Sequence, residues 1–203
     1  MIKALIMDCG GVIATEVPKA FMQELAVKED LDIEELVAVW RDLFTPLVVG
    51  KLTEDEFWTR FVDRLGVEKP QETQIEEYKK LIRTLMIWDR QILTFLKEFK
   101  EEHKDIKVVL LSNSVKEWVA DFQRRHDLGK YFDKTYFSFD LGERKPDQAC
   151  FDKVCQDLQL KPEECILVDN NEQITIAAEK LKFVTHRYTD LNTFKRFIEK
   201  MVK

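Results

Sequence analysis

Residues 4–13 read ALIMDCGGVI. Four apolar residues run without alternation into Asp8, and two glycines follow shortly after it. An unbroken apolar run of this kind is typical of a parallel strand that is buried on both faces. Similar runs recur at residues 106–111, 165–168 and, more weakly, 183–185. These runs predict a parallel sheet whose first strand ends at an aspartate.

Helical patterns precede each of the later runs, at residues 90–102, 151–158 and 174–181. Strands that alternate with helices indicate βαβ units, in which helices cover both faces of a parallel sheet. We therefore predict an α/β fold, a three-layer Rossmann-like parallel sheet with helices on both faces. A last helix at residues 190–201 is expected to pack against it.

Residues 16–88 interrupt this alternation, because they carry strong helix signals and no strand signal. Asp32 with Glu35, and Thr53 with Glu56, have the spacing of capping boxes. The helix after Thr53 is expected to end at Gly66, and another is predicted at residues 72–85. We expect an all-helical insertion of residues 16–88 in a core formed by residues 1–15 and 89–203. Aromatic residues recur in the insertion at helical spacing, and they are predicted to form its own core: Trp40, Phe44, Phe57, Trp58 and Phe61.

The composition excludes several classes of protein. The 203 residues contain 32 Lys and Arg against 38 Asp and Glu, a net charge of −6. This balance argues against nucleic acid or an anionic membrane as the main partner. No apolar run approaches the roughly 18 residues of a membrane span, and Asp8 interrupts the apolar start too early for a signal peptide. The four cysteines lack CxxC spacing, which indicates free thiols, so we expect a cytoplasmic protein.

Polar residues collect where the predicted strands end. In open parallel sheets, ligands bind outside the carboxyl ends of the strands. Asp8 ends the first strand, Ser112 ends the second, and Asp169 follows the run at residues 165–168, while a loop beyond Phe137 carries Lys145. Two carboxylates, a hydroxyl and a lysine from four segments suit an anionic substrate beside a divalent cation. The spacing of Ser114 and Glu117 also predicts a capping box for the helix that follows the second strand.

Each of these residue types has a role in phosphoryl chemistry. A carboxylate such as Asp8 can attack phosphorus and form an acyl phosphate. Its negative charge repels the phosphate, so a bound Mg²⁺ is needed to offset it. Ser112, the amides after it and Lys145 can hold the non-bridging oxygens. Gly10 and Gly11 allow the backbone to approach the phosphate closely.

Four motifs occur in the order ALIMDCGGVI, VVLLSNS, GERKPD and CILVDN, and the stretch SFDLGERKPDQACF surrounds the third. In these motifs the sequence resembles the haloacid dehalogenase (HAD) superfamily, in the subclass with a helical C1-type cap after the first strand. The segment GKLTEDEFW is similar to the branch described as glucose-1-phosphate phosphatase-like. The resemblance implies catalytic roles for Asp8, Ser112 and Lys145. It implies a Mg²⁺ site at Asp8, Gly10, Asp169 and Asn170, and substrate binding by Gly10, Gly11, Ser112, Asn113 and Lys145.

Two positions depart from the pattern of the phosphatases in this superfamily. Those enzymes carry a second Asp two residues after the nucleophile as general acid and base, and here that residue is Gly10. Its loss removes a contribution of about 10² to 10⁴ in rate, although the Gly10 carbonyl can still bind Mg²⁺. Asn170 replaces the second acid of an acidic pair and removes one charge from the metal site, so Mg²⁺ should bind more weakly, and Glu172 or Asn171 could partly compensate.

Three hypotheses remain open from the sequence. The leading one is a Mg²⁺-dependent phosphatase for a small phosphorylated metabolite, weakened or narrowed by Gly10 and suited to leaving groups that depart without a proton. The second is a catalytically impaired protein that binds a phosphorylated ligand or a protein partner. The third is a metal-independent dehalogenase. The protein is expected to be a monomer or a homodimer, and the sequence does not identify the substrate.

Overall fold

The computed structural model describes residues 1–66, 71–124 and 126–202. Its strands are β1 (Ala4–Met7), β2 (Lys107–Ser112), β3 (Lys134–Phe137), β4 (Cys165–Asp169) and β5 (Val184–Arg187). They form one parallel sheet in the order β3-β2-β1-β4-β5. Because β1 is central, the carboxyl ends of β2, β1 and β4 lie side by side. This is the edge at which open sheets bind ligands.

Helices α1 (Val17–Glu29), α2 (Ile33–Val48), α3 (Glu54–Leu65), α4 (Gln71–Leu85) and α5 (Arg90–Glu102) lie between β1 and β2. They are followed by α6 (Lys116–Gln123), α7 (Ser138–Leu141), α8 (Gln148–Leu158), α9 (Glu172–Lys180) and α10 (Leu191–Met201). The helix predicted at residues 90–102 is confirmed without change as α5. Those predicted at 72–85, 151–158, 174–181 and 190–201 are confirmed with shifts of one to three residues at their ends.

Helices cover both faces of the sheet, as the unbroken apolar strands predict. Leu5 and Met7 of β1 face a buried cluster that includes residues of α5, α6 and α10. Ala4 and Ile6 face the opposite cluster, which includes residues of α8 and α9. Successive strand residues point to opposite faces, so the strand is buried from both sides. The three-layer α/β prediction is therefore confirmed.

Helices α1 to α4 bury a separate aromatic cluster. Trp40, Phe57, Trp58 and Phe61 are all buried in it, with Trp40 and Phe57 ring centroids 5.1 Å apart. Phe44 is half-buried against the same cluster. Thr53 and Glu56 form the predicted capping box, and Gly66 ends α3 with a left-handed φ of 61°. Asp32 caps α2 by accepting hydrogen bonds from two backbone N–H groups. The division into a core of residues 1–15 and 89–203 and a helical insertion of residues 16–88 stays a prediction. Residues 67–70, 125 and 203 lie outside the described residues.

Two details differ from expectation. Strand β3 has no apolar run, because it lies at the edge of the sheet and only Tyr136 and Phe137 are buried. The capping box predicted for Ser114 and Glu117 is wrong, because α6 begins at Lys116 after Val115, and no side chain caps it. Ser114 instead uses its backbone N–H to bind the Ser138 hydroxyl at 3.1 Å. No helix among the described residues has both the length and the apolarity needed to cross a membrane.

Candidate active site

Three charged side chains from distant segments meet at the carboxyl edge of the sheet. Lys145 Nζ lies 2.7 Å from Asp8 Oδ1 and 2.6 Å from Asp169 Oδ2. The register explains the pairing of the two acids: Met7 is level with Val168, so Asp8 and Asp169 follow at the same height. All three are buried, with Lys145 1% exposed. Buried ions are tolerated only when paired and hydrogen-bonded, and one ammonium here serves two carboxylates.

Burial and the neighbouring charges shift the pKa values of Asp8 and Lys145. Burial raises the pKa of Asp8 to about 6; the charge of Lys145 restrains that rise, and the charge of Asp169 adds to it. Burial disfavours the ammonium of Lys145, but the two carboxylates outweigh this and hold its pKa above the ordinary value. Lys145 therefore stays protonated at neutral pH, and most of Asp8 is ionised, which is the form that can act as a nucleophile.

Asn113 fixes the backbone of the lysine. Its side-chain Nδ2 donates to the Lys145 carbonyl oxygen at 2.8 Å, and the Lys145 N–H donates to Asn113 Oδ1 at 2.9 Å. The next residue back, Arg144, donates from Nη1 to Thr45 Oγ1 in α2 at 2.7 Å. Sequence reasoning placed Asn113 in substrate binding and missed this second use of its amide. No local signal reveals it, since the partner is 32 positions away.

The two glycines after Asp8 have different surroundings. A Cβ added to Gly10 would meet no heavy atom within 4 Å, and Gly10 lines a cavity together with Ser112 and Asn113. Gly11 has φ +81°, and a Cβ there would lie 2.2 Å from Asn170 Nδ2. The side chain of Asn170 therefore occupies the space over Gly11, and only glycine suits that position. Ser112 is the last residue of β2 and is buried.

The donor atoms around Asp8 fit a hard divalent cation. In the ligand set predicted from the sequence, Asp8 and Asp169 would supply carboxylates, Gly10 a backbone carbonyl and Asn170 a side-chain oxygen, and Mg²⁺ prefers oxygen ligands of these kinds. Both Asp169 oxygens also accept hydrogen bonds, from Lys145 Nζ and from the Asn171 N–H. The net negative charge of two carboxylates and one ammonium also favours a cation. Among the described residues, no three His, Cys, Asp or Glu side chains form a metal cage. Any Mg²⁺ here would thus depend on two carboxylates and neutral oxygens.

The two residues that could compensate for Asn170 have other partners. Asn171 caps α9, where its Oδ1 accepts hydrogen bonds from the N–H groups of Gln173 and Ile174. Glu172 pairs with Arg187 Nη1 at 3.0 Å. Both contacts direct the side-chain oxygens toward protein groups, so neither residue adds a charge at Asp8 and Asp169 in this structure.

Comparison with known proteins places this geometry in a family. The sequence model of the haloacid dehalogenase-like hydrolases matches residues 2–181. The chain belongs to this family. The HAD-like hydrolase is 29% identical over 195 residues to the D-ribitol-5-phosphate phosphatase of Bacteroides thetaiotaomicron, covering 91% of each protein. The superfamily resemblance read from the four motifs is thereby confirmed.

Solved structures support the fold of the HAD-like hydrolase. A HAD family enzyme of B. thetaiotaomicron, in complex with magnesium and inorganic phosphate, is 22% identical and aligns with a TM-score of 0.75 over 96% of this chain and 99% of that one. A predicted HAD-like hydrolase from Porphyromonas gingivalis is 24% identical and aligns with a TM-score of 0.76 over 100% and 99% of the two chains. At these identities, the likeness establishes the fold alone.

The HAD-like hydrolase thus brings the predicted residues to one edge in three groups. Asp8, Lys145 and Asp169 contact one another directly. Gly10, Ser112 and Asn113 line the cavity beside them, while Gly11 and Asn170 pack against each other. Such a site can present a carboxylate nucleophile next to a fixed positive charge and a hydroxyl donor.

Proposed function

We propose that this HAD-like hydrolase is a Mg²⁺-dependent phosphatase that acts on a small phosphorylated metabolite through an aspartyl phosphate at Asp8. The observation that carries the proposal is the position of Lys145 Nζ, which lies within hydrogen-bond distance of both Asp8 and Asp169. A buried nucleophile with a permanent cation beside it suits attack on an anionic ester.

In the proposed reaction, an oxygen of the Asp8 carboxylate bonds to phosphorus as the bond from phosphorus to the leaving oxygen breaks. Water then attacks the acyl phosphate, which releases inorganic phosphate and restores Asp8. Lys145 stays protonated throughout and offsets the charge of the non-bridging oxygens, while the Ser112 hydroxyl donates to one of them. A Mg²⁺ held by Asp8, Asp169, the Gly10 carbonyl and Asn170 would supply further charge neutralisation.

Relatives support the substrate class and the metal. One relative is a phosphatase of D-ribitol 5-phosphate, a small phosphorylated compound, and a structural neighbour binds magnesium together with inorganic phosphate. We also propose that residues 16–88 serve as the cap over the site. Contacts with the core support this role, since Ser138 Oγ donates to the Val48 carbonyl at 2.5 Å and Arg144 donates to Thr45.

The proposal is tested with phenyl phosphate, whose leaving group departs without a proton. Wild-type protein and Asp8→Asn are assayed for phosphate release with Mg²⁺ and with EDTA, because asparagine keeps the shape of the side chain but cannot form the acyl phosphate. We expect turnover by the wild type only, and only with the metal. Equal phosphate release from Asp8→Asn, or undiminished release in EDTA, would refute the mechanism.

A second candidate is a catalytically impaired protein that binds phosphorylated ligands, and Gly10 is the observation that favours it. Titration calorimetry with Mg²⁺ and a beryllium fluoride mimic of the acyl phosphate separates the two. Tight binding that disappears in Asp8→Asn supports the phosphatase. Binding that persists in Asp8→Asn, together with absence of turnover, supports the second candidate.

A further inference from the structure

The end of helix α2 is held by two side chains of the segment that leads from β3 to Lys145. The last carbonyl groups of an α-helix have no partner within the helix. The Val48 carbonyl, the last of α2, accepts a hydrogen bond from the buried Ser138 hydroxyl at 2.5 Å. One turn earlier in the same helix, the Thr45 hydroxyl accepts a hydrogen bond from Arg144 Nη1 at 2.7 Å. The position of this helix end is therefore linked to the segment that carries Lys145.

Two further contacts fix the end of α2 against the core. The Ser138 hydroxyl also accepts a hydrogen bond from the Ser114 N–H at 3.1 Å, so one buried oxygen joins α2 to the segment after β2. Gly50 follows the helix with φ +75°, and a Cβ there would lie 3.2 Å from the Phe139 carbonyl oxygen. Glycine permits this close approach of two backbone segments. The Thr45 hydroxyl is thus an acceptor on a packed helix end, although it lies at the surface.

Arg144 connects this helix end to the backbone of Lys145. Its Nε donates to the Lys145 carbonyl oxygen at 3.3 Å, while its Nη1 donates to Thr45. The same carbonyl oxygen accepts a hydrogen bond from Asn113 Nδ2 at 2.8 Å, so two side chains hold this peptide group. A guanidinium is planar and presents its donors in fixed directions. The position of Thr45 therefore constrains the backbone from which the Lys145 side chain reaches the site.

We propose that Arg144 is a positioning residue of the reaction, which makes the alignment of Lys145 with Asp8 depend on the position of α2. The inference rests on the proposed phosphatase function and adds a residue to it. Lys145 Nζ lies 2.7 Å from Asp8 Oδ1, and a displacement of about 1 Å at a reacting group costs up to about 100-fold in rate. Release of the Lys145 backbone should therefore slow the chemical step.

The first test changes the helix end and leaves the site untouched. Thr45→Val removes the acceptor of Arg144 and keeps the shape of the side chain, whereas Thr45→Ser keeps the hydroxyl. With phenyl phosphate, we expect kcat to fall about threefold to tenfold in Thr45→Val, with KM within about twofold, and to recover in Thr45→Ser. Thr59→Val is the matched control, because the Thr59 hydroxyl donates to the Asp55 carbonyl within α3. Equal kcat values in Thr45→Val and Thr59→Val would overturn the proposal.

A double variant tests whether Thr45 acts through Arg144. Arg144→Met keeps the aliphatic part of the side chain but donates no hydrogen bond, and we expect it to lower kcat about tenfold. In the Arg144→Met protein, Thr45→Val should change kcat by no more than about twofold, because the contact is already absent. Effects of the two substitutions that multiply would show that Thr45 acts by another route, which would overturn the assignment.

Hydrogen exchange separates this inference from the proposed function, because it needs no turnover. The Lys145 N–H donates to Asn113 Oδ1 at 2.9 Å, and its exchange rate measured by NMR reports how firmly this backbone is held. We expect exchange about threefold to tenfold faster in both single variants than in the wild type and the control. An unchanged rate would overturn the inference. If the rate rises but the wild type hydrolyses phenyl phosphate no faster than Asp8→Asn, the phosphatase proposal fails and the positioning of Lys145 by Arg144 stands.

Discussion

Replacement of Gly10 by Asp is expected to raise hydrolysis of alkyl phosphates by about 10²- to 10⁴-fold, the range that general acid–base catalysis contributes. The structure can accept the change. A Cβ at Gly10 meets nothing within 4 Å, and Gly10 is not among the glycines with a left-handed φ. A side chain there also restricts the unfolded chain, which favours folding by up to about 1 kcal/mol.

The charged groups nearby act on the pKa of the new carboxyl. Asp8 and Asp169 carry negative charge at the same edge of the sheet. These like charges raise the pKa of a neighbouring carboxyl, whereas the Lys145 ammonium and a bound Mg²⁺ lower it, so the pH profile of kcat/KM for Gly10→Asp reports which effect is larger. The increase of kcat/KM should be much smaller for phenyl phosphate than for propyl phosphate, because phenolate departs without a proton.

The assay measures kcat/KM for propyl and phenyl phosphate in the wild type, Gly10→Asp and Gly10→Asn. Asparagine has nearly the same shape but donates no proton, so it isolates the chemistry from the packing. An equal increase of kcat/KM in Gly10→Asn and Gly10→Asp, or an equal increase for both esters, would refute the role of the new carboxyl as an acid. Gly11→Asp is the positional control and should lose stability, because φ is +81° and Asn170 fills the space.

Three further outcomes are expected. Burial raises the pKa of Asp8 from 3.8 to about 6, so the metal-free folded protein binds that proton more tightly than the unfolded chain and loses stability as pH rises through this window. In urea unfolding with EDTA, the free energy of unfolding of Asp8→Asn should exceed that of the wild type by up to about 3 kcal/mol near neutral pH, and this difference should vanish toward pH 4. A difference that does not change with pH contradicts this. Asn113→Ala should lower kcat for phenyl phosphate about tenfold to a hundredfold, because it releases the Lys145 backbone; a kcat within twofold of the wild type contradicts it. Glu54→Ala should destabilise the protein by about 1–3 kcal/mol in urea unfolding, because the buried indole N–H groups of Trp58 and Trp118 lose their acceptor, while Arg83 keeps Asp121 as a partner; an unchanged free energy of unfolding would contradict this.

The sheet and the segments of the site could be predicted because their signals are local. An unbroken apolar run identifies β1, β2 and β4 from a few residues each, and the polar residues that follow lie at strand ends by necessity. The edge strand β3 lacked this signal, since only two of its four residues are buried. Capping spacing and periodicity also predicted α2, α3 and α4 of the insertion, whereas α1 was not predicted, since no side chain caps its start.

Contacts between distant side chains could not be predicted in the same way. Asn113 carries a polar amide after a strand, which suits substrate binding as well as it suits the Lys145 backbone. Which of these two partners the Asn113 amide contacts depends on where the loop around Lys145 returns to the sheet, and no spacing in the sequence encodes that position. The cavity beside Gly10 is likewise built by residues of several elements, among them Met86 and Phe122, which lie far apart in the chain.

Glu54 illustrates how such contacts join the insertion to the sheet. In the sequence it is an acid in the first turn of α3, where exposure is usual. In the structure it is buried and accepts hydrogen bonds from the indoles of Trp58 and Trp118, while Arg83 pairs with it. Burial would raise the pKa of Glu54, but the hydrogen bonds and charge of Arg83 outweigh this and hold it below the ordinary value.

Helix α6 belongs to both parts of the protein because of this network. Its Trp118 packs in the aromatic cluster of the insertion, whereas Val119 and Phe122 pack in the core under the sheet. The same three residues line the cavity beside Gly10. The helix also follows the Ser112–Ser114 segment at the carboxyl end of β2. Since this one helix packs against both the insertion and the sheet, a change in the Glu54 contacts should alter the packing of the cavity wall as well as stability.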